Sequence, residues 1–155
     1  MKSNQIKYNT FMMLIIQIIY ISIYYMDNKG SSSESNTNST RVKVHRPWGW
    51  FVNIDGDDHS HYKVKQLCVL PGKRLSLQSH NHRSEHWVLC KGHAQVQLND
   101  ELFEMHPNQH IFIPTTALHR LENAGEEIVE IIETQIGDYL GEDDIIRYSD
   151  DYGRA

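Results

Sequence analysis

Short runs in which apolar and polar residues alternate recur through the chain after residue 60. In an extended chain, alternate side chains point to opposite faces, so each run predicts a half-buried β-strand. The run at 62–65 leads directly into the apolar stretch 67–70. The other alternating runs lie at 75–78, 94–98, 111–113 and 128–132.

Turn-forming residue pairs separate these runs at fairly regular intervals. They are Asp55-Gly56, Pro71-Gly72, Lys91-Gly92, Asn99-Asp100, Pro107-Asn108, Ala124-Gly125 and Ile136-Gly137. Strands of roughly five to eight residues between such turns predict an all-β sandwich or barrel. Residues 41–140 contain no convincing helical period, and only the tail at 141–151 is expected to hold a helical turn. The predicted fold is therefore a small antiparallel barrel.

Two segments with a different composition precede the predicted barrel. Residues 11–26 are almost entirely apolar and follow Lys2 and Lys7, which favours a signal peptide or signal anchor within residues 1–26. The run is shorter than the roughly 20 residues of a membrane span, and a start site assigned upstream of the true one is the alternative. Residues 27–40 form a polar linker rich in serine and asparagine. We expect one domain over 41–155, with residues 1–40 as a disordered or hydrophobic extension.

The overall composition excludes several classes of protein. The chain has 155 residues, with 15 Lys and Arg against 20 Asp and Glu, which gives a formal net charge of −5. Such a charge argues against a nucleic-acid partner, because those proteins normally present a basic face. Only two cysteines are present, which rules out a disulfide framework and a cysteine-based zinc site.

Histidine is abundant, and some of the histidines follow the period of a strand. The chain has 10 histidines. Gln78, His80 and His82 are separated by two residues each, so they share one face if the strand extends that far. Glu85 follows after a short connection, and His119 comes after the strand at 111–113. Nitrogen and oxygen donors in this pattern suit Zn, Fe, Mn, Ni or Co rather than Ca or Mg.

The spacing of these residues resembles the two sequence motifs of the cupin superfamily. The first motif matches as Gly72, Gln78, His80, Glu85 and Gly92, with Gln78 where a histidine usually stands. The second motif matches in spacing as Asn108, Pro114, Thr116, His119 and Asn123, with Asn108 and Thr116 in place of two glycines.

A more specific resemblance covers about residues 44–154. The segments that carry it are Arg46–Trp50, Leu75–Gln78, His82–Trp87, Ile113-Pro114, His119–Asn123, Tyr139–Ile145 and Asp151–Arg154. They are similar to the type II mannose-6-phosphate isomerase domain. In bacteria this domain usually forms the C-terminal cupin of a bifunctional mannose-1-phosphate guanylyltransferase/mannose-6-phosphate isomerase.

The resemblance implies a fold and a set of metal ligands. The fold is the double-stranded β-helix, the jelly-roll barrel of the cupins. The implied ligands are Gln78, His80, Glu85 and His119, a set that resembles that of the type I isomerases, which are zinc enzymes. Zinc is therefore the first expectation, with Co, Mn, Ni or Fe as alternatives. In another interpretation His82 is a ligand and Gln78 lies behind it.

The implied reaction is the interconversion of mannose 6-phosphate and fructose 6-phosphate through a cis-enediol. His82 is the first candidate for the general base, because it is surplus to the four ligands. The substrate phosphate requires a cation at the cavity mouth. The candidates are Lys65, Arg74, Arg83 and Arg154, of which Lys65 and Arg154 are preferred.

Other functions and locations remain open at this stage. A non-catalytic sugar- or nucleotide-sugar-binding cupin, an iron dioxygenase and a metal-free epimerase are the alternatives. Forty N-terminal residues cannot hold a nucleotide-binding domain, so the chain is expected to supply the isomerase half, with a separate guanylyltransferase as a candidate partner. A homodimer is expected by analogy with other cupins. A sugar-phosphate substrate favours a cytoplasmic location, and anchoring through residues 11–26 is the alternative.

Overall fold

The computed structural model describes residues 41–154, and these residues form strands joined by turns. One 3₁₀ turn, Glu142–Asp144, lies where the tail was expected to hold a helical turn. The all-β prediction is therefore confirmed. The strands are β1 (Val44–Arg46), β2 (Gly49–Asp55), β3 (Tyr62–Val69), β4 (Lys73–Arg74), β5 (Leu77–His80), β6 (Arg83–Lys91), β7 (Ala94–Leu98), β8 (Glu101–Met105), β9 (His110–Ile113), β10 (His119–Asn123), β11 (Val129–Gly137) and β12 (Ile145–Ser149).

The strands form two antiparallel sheets. The first sheet has the order β1-β2-β3-β11-β6-β9, and the second has the order β12-β5-β10-β7-β8, with β4 paired to β10. Strands distant in sequence are neighbours in both sheets, as in a jelly roll. A hydrophobic core that includes Trp87, Leu89, Val96, Leu121 and Ile131 lies inside. The arrangement agrees with the expected double-stranded β-helix.

The inward faces of three adjacent strands change from apolar to polar along their length. Ile131 of β11 lies opposite Leu67 and Leu89 in the register, whereas Glu133, two residues on, lies opposite Lys65. The buried apolar positions are Leu67 and Val69 of β3, Trp87 and Leu89 of β6, and Val129 and Ile131 of β11. The buried polar positions are Lys63 and Lys65 of β3, Arg83 and Glu85 of β6, and Glu133 and Gln135 of β11. One end of the interior is therefore a hydrophobic core, and the other end is lined with charge.

The two motif positions that lack glycine adopt glycine-like backbone conformations. Asn108 has a φ of 72° and Thr116 a φ of 68°, in the left-handed region that L-residues avoid. Thr116 is β-branched, which makes this conformation especially unfavourable. Its backbone N–H donates to the carbonyl of His80 at 2.8 Å, so the strained turn holds a predicted metal ligand.

We expect Thr116→Gly to raise the free energy of unfolding by about 1 kcal/mol, because glycine adopts a positive φ without the Cβ clash. Thr115 is the matched control, since it is also exposed but does not have a positive φ. Thr115→Gly is expected to lower stability. Urea unfolding at unchanged m-value measures both variants, and a Thr116→Gly protein less stable than the parent would contradict the prediction.

The predictions about the N-terminal segments fall outside the described residues. Both the apolar run at 11–26 and the linker at 27–40 lie there. Within residues 41–154, no helix has the length and apolar character needed to cross a membrane.

Candidate metal centre

Three of the four predicted ligands meet inside the polar end of the barrel. His80 ends β5, Glu85 lies in β6 and His119 begins β10, so both sheets contribute. One donor atom from each lies within 4.8 Å of the other two. The His80 Nε2 atom is 3.1 Å from Glu85 Oε1, and His119 Nε2 is 3.6 Å from Glu85 Oε2. At most 2% of each of these side chains is exposed, so the cluster is shielded from bulk water.

The surroundings of His119 prepare it for metal binding. Its Nδ1 lies 2.9 Å from the carbonyl of Ala117, which can only accept, so Nδ1 carries the proton and Nε2 has the free lone pair. That Nε2 atom is buried and has no hydrogen-bond partner among the described residues. Burial also lowers the pKa of His119, which favours the neutral, ligating form. A buried polar atom without a partner is costly, and a divalent cation beside Glu85 would satisfy it.

Glu85 is held as a carboxylate by its neighbours. Burial by itself raises the pKa of Glu85, but the hydrogen bond with His80 and the nearby positive charges outweigh it and hold the pKa well below its ordinary value. Arg83 Nε donates to Oε1 at 3.0 Å, and Trp87 Nε1 donates to Oε2 at 3.0 Å. These donors fix the orientation of the carboxylate, as the outer contacts of metal ligands commonly do. The described donor set therefore fits a transition metal or zinc.

The structure places Gln78 and His82, the two remaining ligand candidates, in different environments. Gln78 is buried and lies opposite His119 in the strand register, and Ser76 Oγ donates to its Oε1 at 2.8 Å. Its place as a fourth ligand stays a prediction.

His82, by contrast, does not share the inward face, because β5 ends at His80 and the chain bends away. Half of the His82 side chain is exposed, and its Nδ1 lies 3.3 Å from Asp138. The condition for His82 to share the face of Gln78 and His80, a strand that extends to it, is therefore not met, and its roles as general base or ligand stay predictions.

A cavity open to solvent adjoins the cluster, and Gln78 and Glu85 line it together with several cations. Lys65 and Arg154, the two preferred phosphate-binding candidates, both lie in its wall. Each already has an acidic partner: Lys65 pairs with Glu142, and Arg154 pairs with Asp150. Arg83 also lines the cavity, but its guanidinium is committed to Glu85 and to the carbonyl of Gly141.

Two further arginines in this wall were not among the sequence candidates. Arg147 of β12 and Arg46 of β1 both line the cavity, and within residues 41–154 neither is paired with a carboxylate. The Nε atom of Arg147 is buried and has no hydrogen-bond partner among the described residues. Arg74 lies elsewhere, bound to Asp151 and Glu122. Nothing in the sequence marks Arg147, but β12 places it opposite Gln78.

Glu133 is a third functional candidate, after Arg147 and Arg46, that the sequence patterns did not identify. It lies in the cavity wall and is almost fully buried. Its carboxylate accepts one side-chain hydrogen bond among the described residues, from Gln135 Nε2 at 2.6 Å. Burial, reinforced by the charge of Glu85, raises its pKa to about 7. The alternating run predicted from the sequence ended at residue 132, one residue before Glu133, and only the register of β11 with β3 and β6 shows that Glu133 faces the cavity.

Comparison with known proteins identifies similar chains among alginate and xanthan biosynthesis proteins and mannose-1-phosphate guanylyltransferases. The chain is 46% identical over 130 residues to the alginate biosynthesis protein AlgA of Pseudomonas aeruginosa, which is 84% of this chain and 26% of that protein. It is 48% identical over 113 residues to the xanthan biosynthesis protein XanB of Xanthomonas campestris, covering 73% of this chain and 24% of XanB. The mannose-1-phosphate guanylyltransferase ManC of Salmonella typhimurium is 46% identical over 113 residues, or 73% of this chain and 23% of ManC. The chain thus spans about a quarter of the length of these relatives.

Solved structures support the fold. The cupin domain of Schizosaccharomyces pombe Cnp3 superposes with a TM-score of 0.55 at 17% identity, over 57% of this chain and 61% of that one. The capsular polysaccharide assembling protein CapF of Staphylococcus aureus superposes with a TM-score of 0.62 at 15% identity, over 74% of this chain and 33% of CapF. At these identities the likeness establishes the cupin fold alone.

The family assignment follows from a match over most of the chain. The family described as mannose-6-phosphate isomerase C-terminal matches residues 33–150. This range contains both cupin motifs and the buried His80, Glu85 and His119 cluster. The protein belongs to the family of mannose-6-phosphate isomerase C-terminal domains.

Proposed function

We propose that this chain is a metal-dependent isomerase that interconverts mannose 6-phosphate and fructose 6-phosphate. The observation that carries the proposal is the buried cluster of His80, Glu85 and His119 beside a cavity lined with cations. Glu85 and Gln78 belong both to the metal-ligand set and to the cavity wall, so a bound substrate would contact both regions. The family and its relatives in mannose metabolism support the same substrate class.

The proposed metal site uses His80, Glu85 and His119, with Gln78 as the fourth donor. A divalent ion bound there would polarise the carbonyl and hydroxyl oxygens at C1 and C2 of the sugar. The choice of zinc belongs to this proposal and rests on the ligand types, since neutral imidazole nitrogens with one carboxylate are common in zinc sites.

The cationic side chains of the cavity would hold the substrate phosphate. Arg147 and Arg46 have no carboxylate partner among the described residues, so they are free to form charge-assisted hydrogen bonds. Guanidinium groups suit this task because they bind phosphate oxygens in pairs. Lys65 adds a buried positive charge to the same wall.

Aldose–ketose isomerisation also needs a group that moves a proton between C2 and C1. We assign this role to Glu133 instead of His82, because Glu133 lies inside the cavity and His82 lies on the surface. A buried carboxyl group with a pKa of about 7 can both accept and return a proton near neutral pH. The other buried carboxylate of the wall, Glu85, is committed to the ligand cluster.

Chelator-sensitive turnover tests the proposed function. The full 155-residue chain, purified and analysed for metal content, is expected to convert mannose 6-phosphate to fructose 6-phosphate. Treatment with EDTA should abolish the conversion, and zinc or another divalent ion should restore it. Unphosphorylated mannose is the matched control substrate, and its turnover is expected to be much lower because it lacks the group that the cations bind.

The opposite results point to the other cupin functions. Bound metal without any product would overturn the isomerase and favour a sugar-binding module. Turnover that EDTA leaves unchanged would show that the cluster is not a catalytic metal site, and metal-dependent oxygen consumption would favour a dioxygenase.

A further inference from the structure

The ion pair between Lys65 and Glu142 has an unusual position for a structural salt bridge. Both residues line the cavity, and the Lys65 side chain is only 5% exposed, whereas 44% of the Glu142 side chain is exposed. The Lys65 ammonium also lies 4.9 Å from the centre of the Phe51 ring. A buried cation at a cavity wall is thus neutralised by a carboxylate that reaches it from the solvent side.

We infer that Glu142 is an internal substitute for the substrate's phosphate. Its carboxylate holds Lys65 while the cavity is empty and leaves when the phosphoryl group of the sugar binds. This inference rests on the proposed sugar-phosphate substrate and adds a residue that sets the affinity for it. Glu142 acts through Lys65, so it is a positioning residue and not a catalytic one.

The backbone on both sides of Glu142 is fixed, which limits the exchange to the side chain. On one side, the carbonyl of Gly141 accepts a hydrogen bond from Arg83 Nη1 at 3.0 Å. On the other side, the Asp144 carboxylate accepts from the backbone N–H groups of Asn81 and His82 at 3.0 and 3.1 Å. The 3₁₀ turn Glu142–Asp144 is therefore held at both ends. Rotation of the Glu142 side chain toward solvent is enough to free Lys65.

A second carboxyl group, that of Glu133, lies near Lys65 in addition to that of Glu142. Glu133 lies opposite Lys65 in the strand register and its carboxyl group is close enough to feel the lysine charge. An incoming phosphate dianion would add two negative charges beside the ammonium. The exchange of one carboxylate for a phosphoryl group therefore leaves no buried cation without an anion.

Removing the charge of Glu142 is expected to tighten anion binding. In Glu142→Gln the phosphate no longer competes with an ion pair, and for a partly exposed pair this corresponds to a Kd about fivefold lower. The measurement is calorimetric titration of the full chain with inorganic phosphate and with mannose 6-phosphate at constant ionic strength. Steady-state KM for mannose 6-phosphate should fall in parallel, with kcat unchanged.

Asp143→Asn is the matched control for this variant. Asp143 is the next residue of the same turn, carries the same charge and bonds to the hydroxyl of Tyr139 at 2.5 Å instead of to a cavity cation. Its replacement removes the same charge from the same surface without releasing Lys65. The phosphate Kd of Asp143→Asn is expected to stay at the parent value.

A double-mutant cycle tests whether the effect passes through Lys65. In a Lys65→Met background, Glu142→Gln should no longer change the phosphate Kd, because the cation for which the two anions compete is gone. Glu142→Asp shortens the side chain by one methylene and should give an intermediate Kd. It also provides a folded test variant if Glu142→Gln proves unstable.

The outcomes separate this inference from the proposed function. Tighter phosphate binding in Glu142→Gln, with Asp143→Asn unchanged, supports the substitute role even if no sugar is isomerised. Unchanged or weaker phosphate binding in both Glu142→Gln and Glu142→Asp overturns it, even if the parent is an active isomerase. An equal gain in Asp143→Asn also overturns it, because the effect would then be one of net surface charge.

Discussion

His80→Ala is expected to abolish metal retention and to reduce turnover of mannose 6-phosphate by at least about a hundredfold. Residues that only support metal ligands already cost 10- to 100-fold when they are replaced, so the loss of a donor should cost no less. The variant removes one of the three clustered donors and leaves Glu85 with one neighbour fewer. Metal analysis of the purified protein and an assay with added zinc measure the two effects separately.

His86 provides the matched control for this experiment. It follows Glu85 directly in β6 but has the opposite orientation, and its ring packs 4.7 Å from that of Phe112. We expect His86→Ala to keep the parent metal content and activity. If His80→Ala retained full metal and activity, the cluster would not be the functional site.

Glu133→Gln is expected to lower kcat by about 10²- to 10⁴-fold, the range of general acid–base catalysis, without loss of metal. Glutamine preserves the size of the side chain and can still accept the hydrogen bond from Gln135, but it cannot carry a proton between carbons. Glu130→Gln is the control, because Glu130 lies in the same strand but bonds to Gln66 outside the cavity. A Glu133→Gln enzyme with the parent kcat would contradict the assigned role.

The same variant should stabilise the chelator-treated protein above neutral pH. The pKa of Glu133 is about 7 in the folded chain against an ordinary value of 4.5. Between these values the folded state binds the proton more readily than the unfolded state, so stability falls as the pH rises through this window. The full cost, an upper bound of about 3 kcal/mol, applies above pH 7 and is absent below about pH 4.5.

Thermal unfolding at two pH values therefore checks the burial of Glu133 independently of activity. At pH 8 Glu133→Gln should unfold at a higher temperature than the parent, and at pH 4 the difference should vanish. A variant that is less active and less stable at pH 8 would indicate that Glu133 only supports the fold.

The sequence by itself determined the fold class and the positions of β3, β5, β7, β9 and the first part of β11, but not those of the other strands. Strands were predicted from period-two alternation, and turns from pairs such as Pro71-Gly72 and Lys91-Gly92. Both signals depend on the local backbone, so they can be recognised without a structure. The motif spacing also identified His80, Glu85 and His119. Strand parity places Gln78 and His80 on one side, and the motif supplies the long-range partner His119.

Local periodicity failed where the strand ended earlier than expected. In the sequence His82 continues the alternation of Gln78 and His80. In the structure β5 ends at His80, and the next two residues, Asn81 and His82, are exposed. The Asp144 carboxylate binds the backbone N–H groups of Asn81 and His82 from 62 or more residues away. A strand end fixed by so distant a residue cannot be read from the local pattern.

Only the tertiary structure determined which charged residues line the cavity. Glu133, Arg147 and Arg46 come from three different strands, and the alternation of apolar and polar residues does not distinguish any of them from a surface charge. The pairing of β11 with β3 and of β12 with β5 brings Glu133 opposite Lys65 and Arg147 opposite Gln78. Lys65 likewise gains its partner Glu142 from a turn 77 residues further along the chain, whereas Asp150, the partner of Arg154, is only four residues away. The sequence thus determined the predicted ligand set, because the spacing of the motifs can be read along the chain, whereas the register of the sheets determined which charged residues line the cavity.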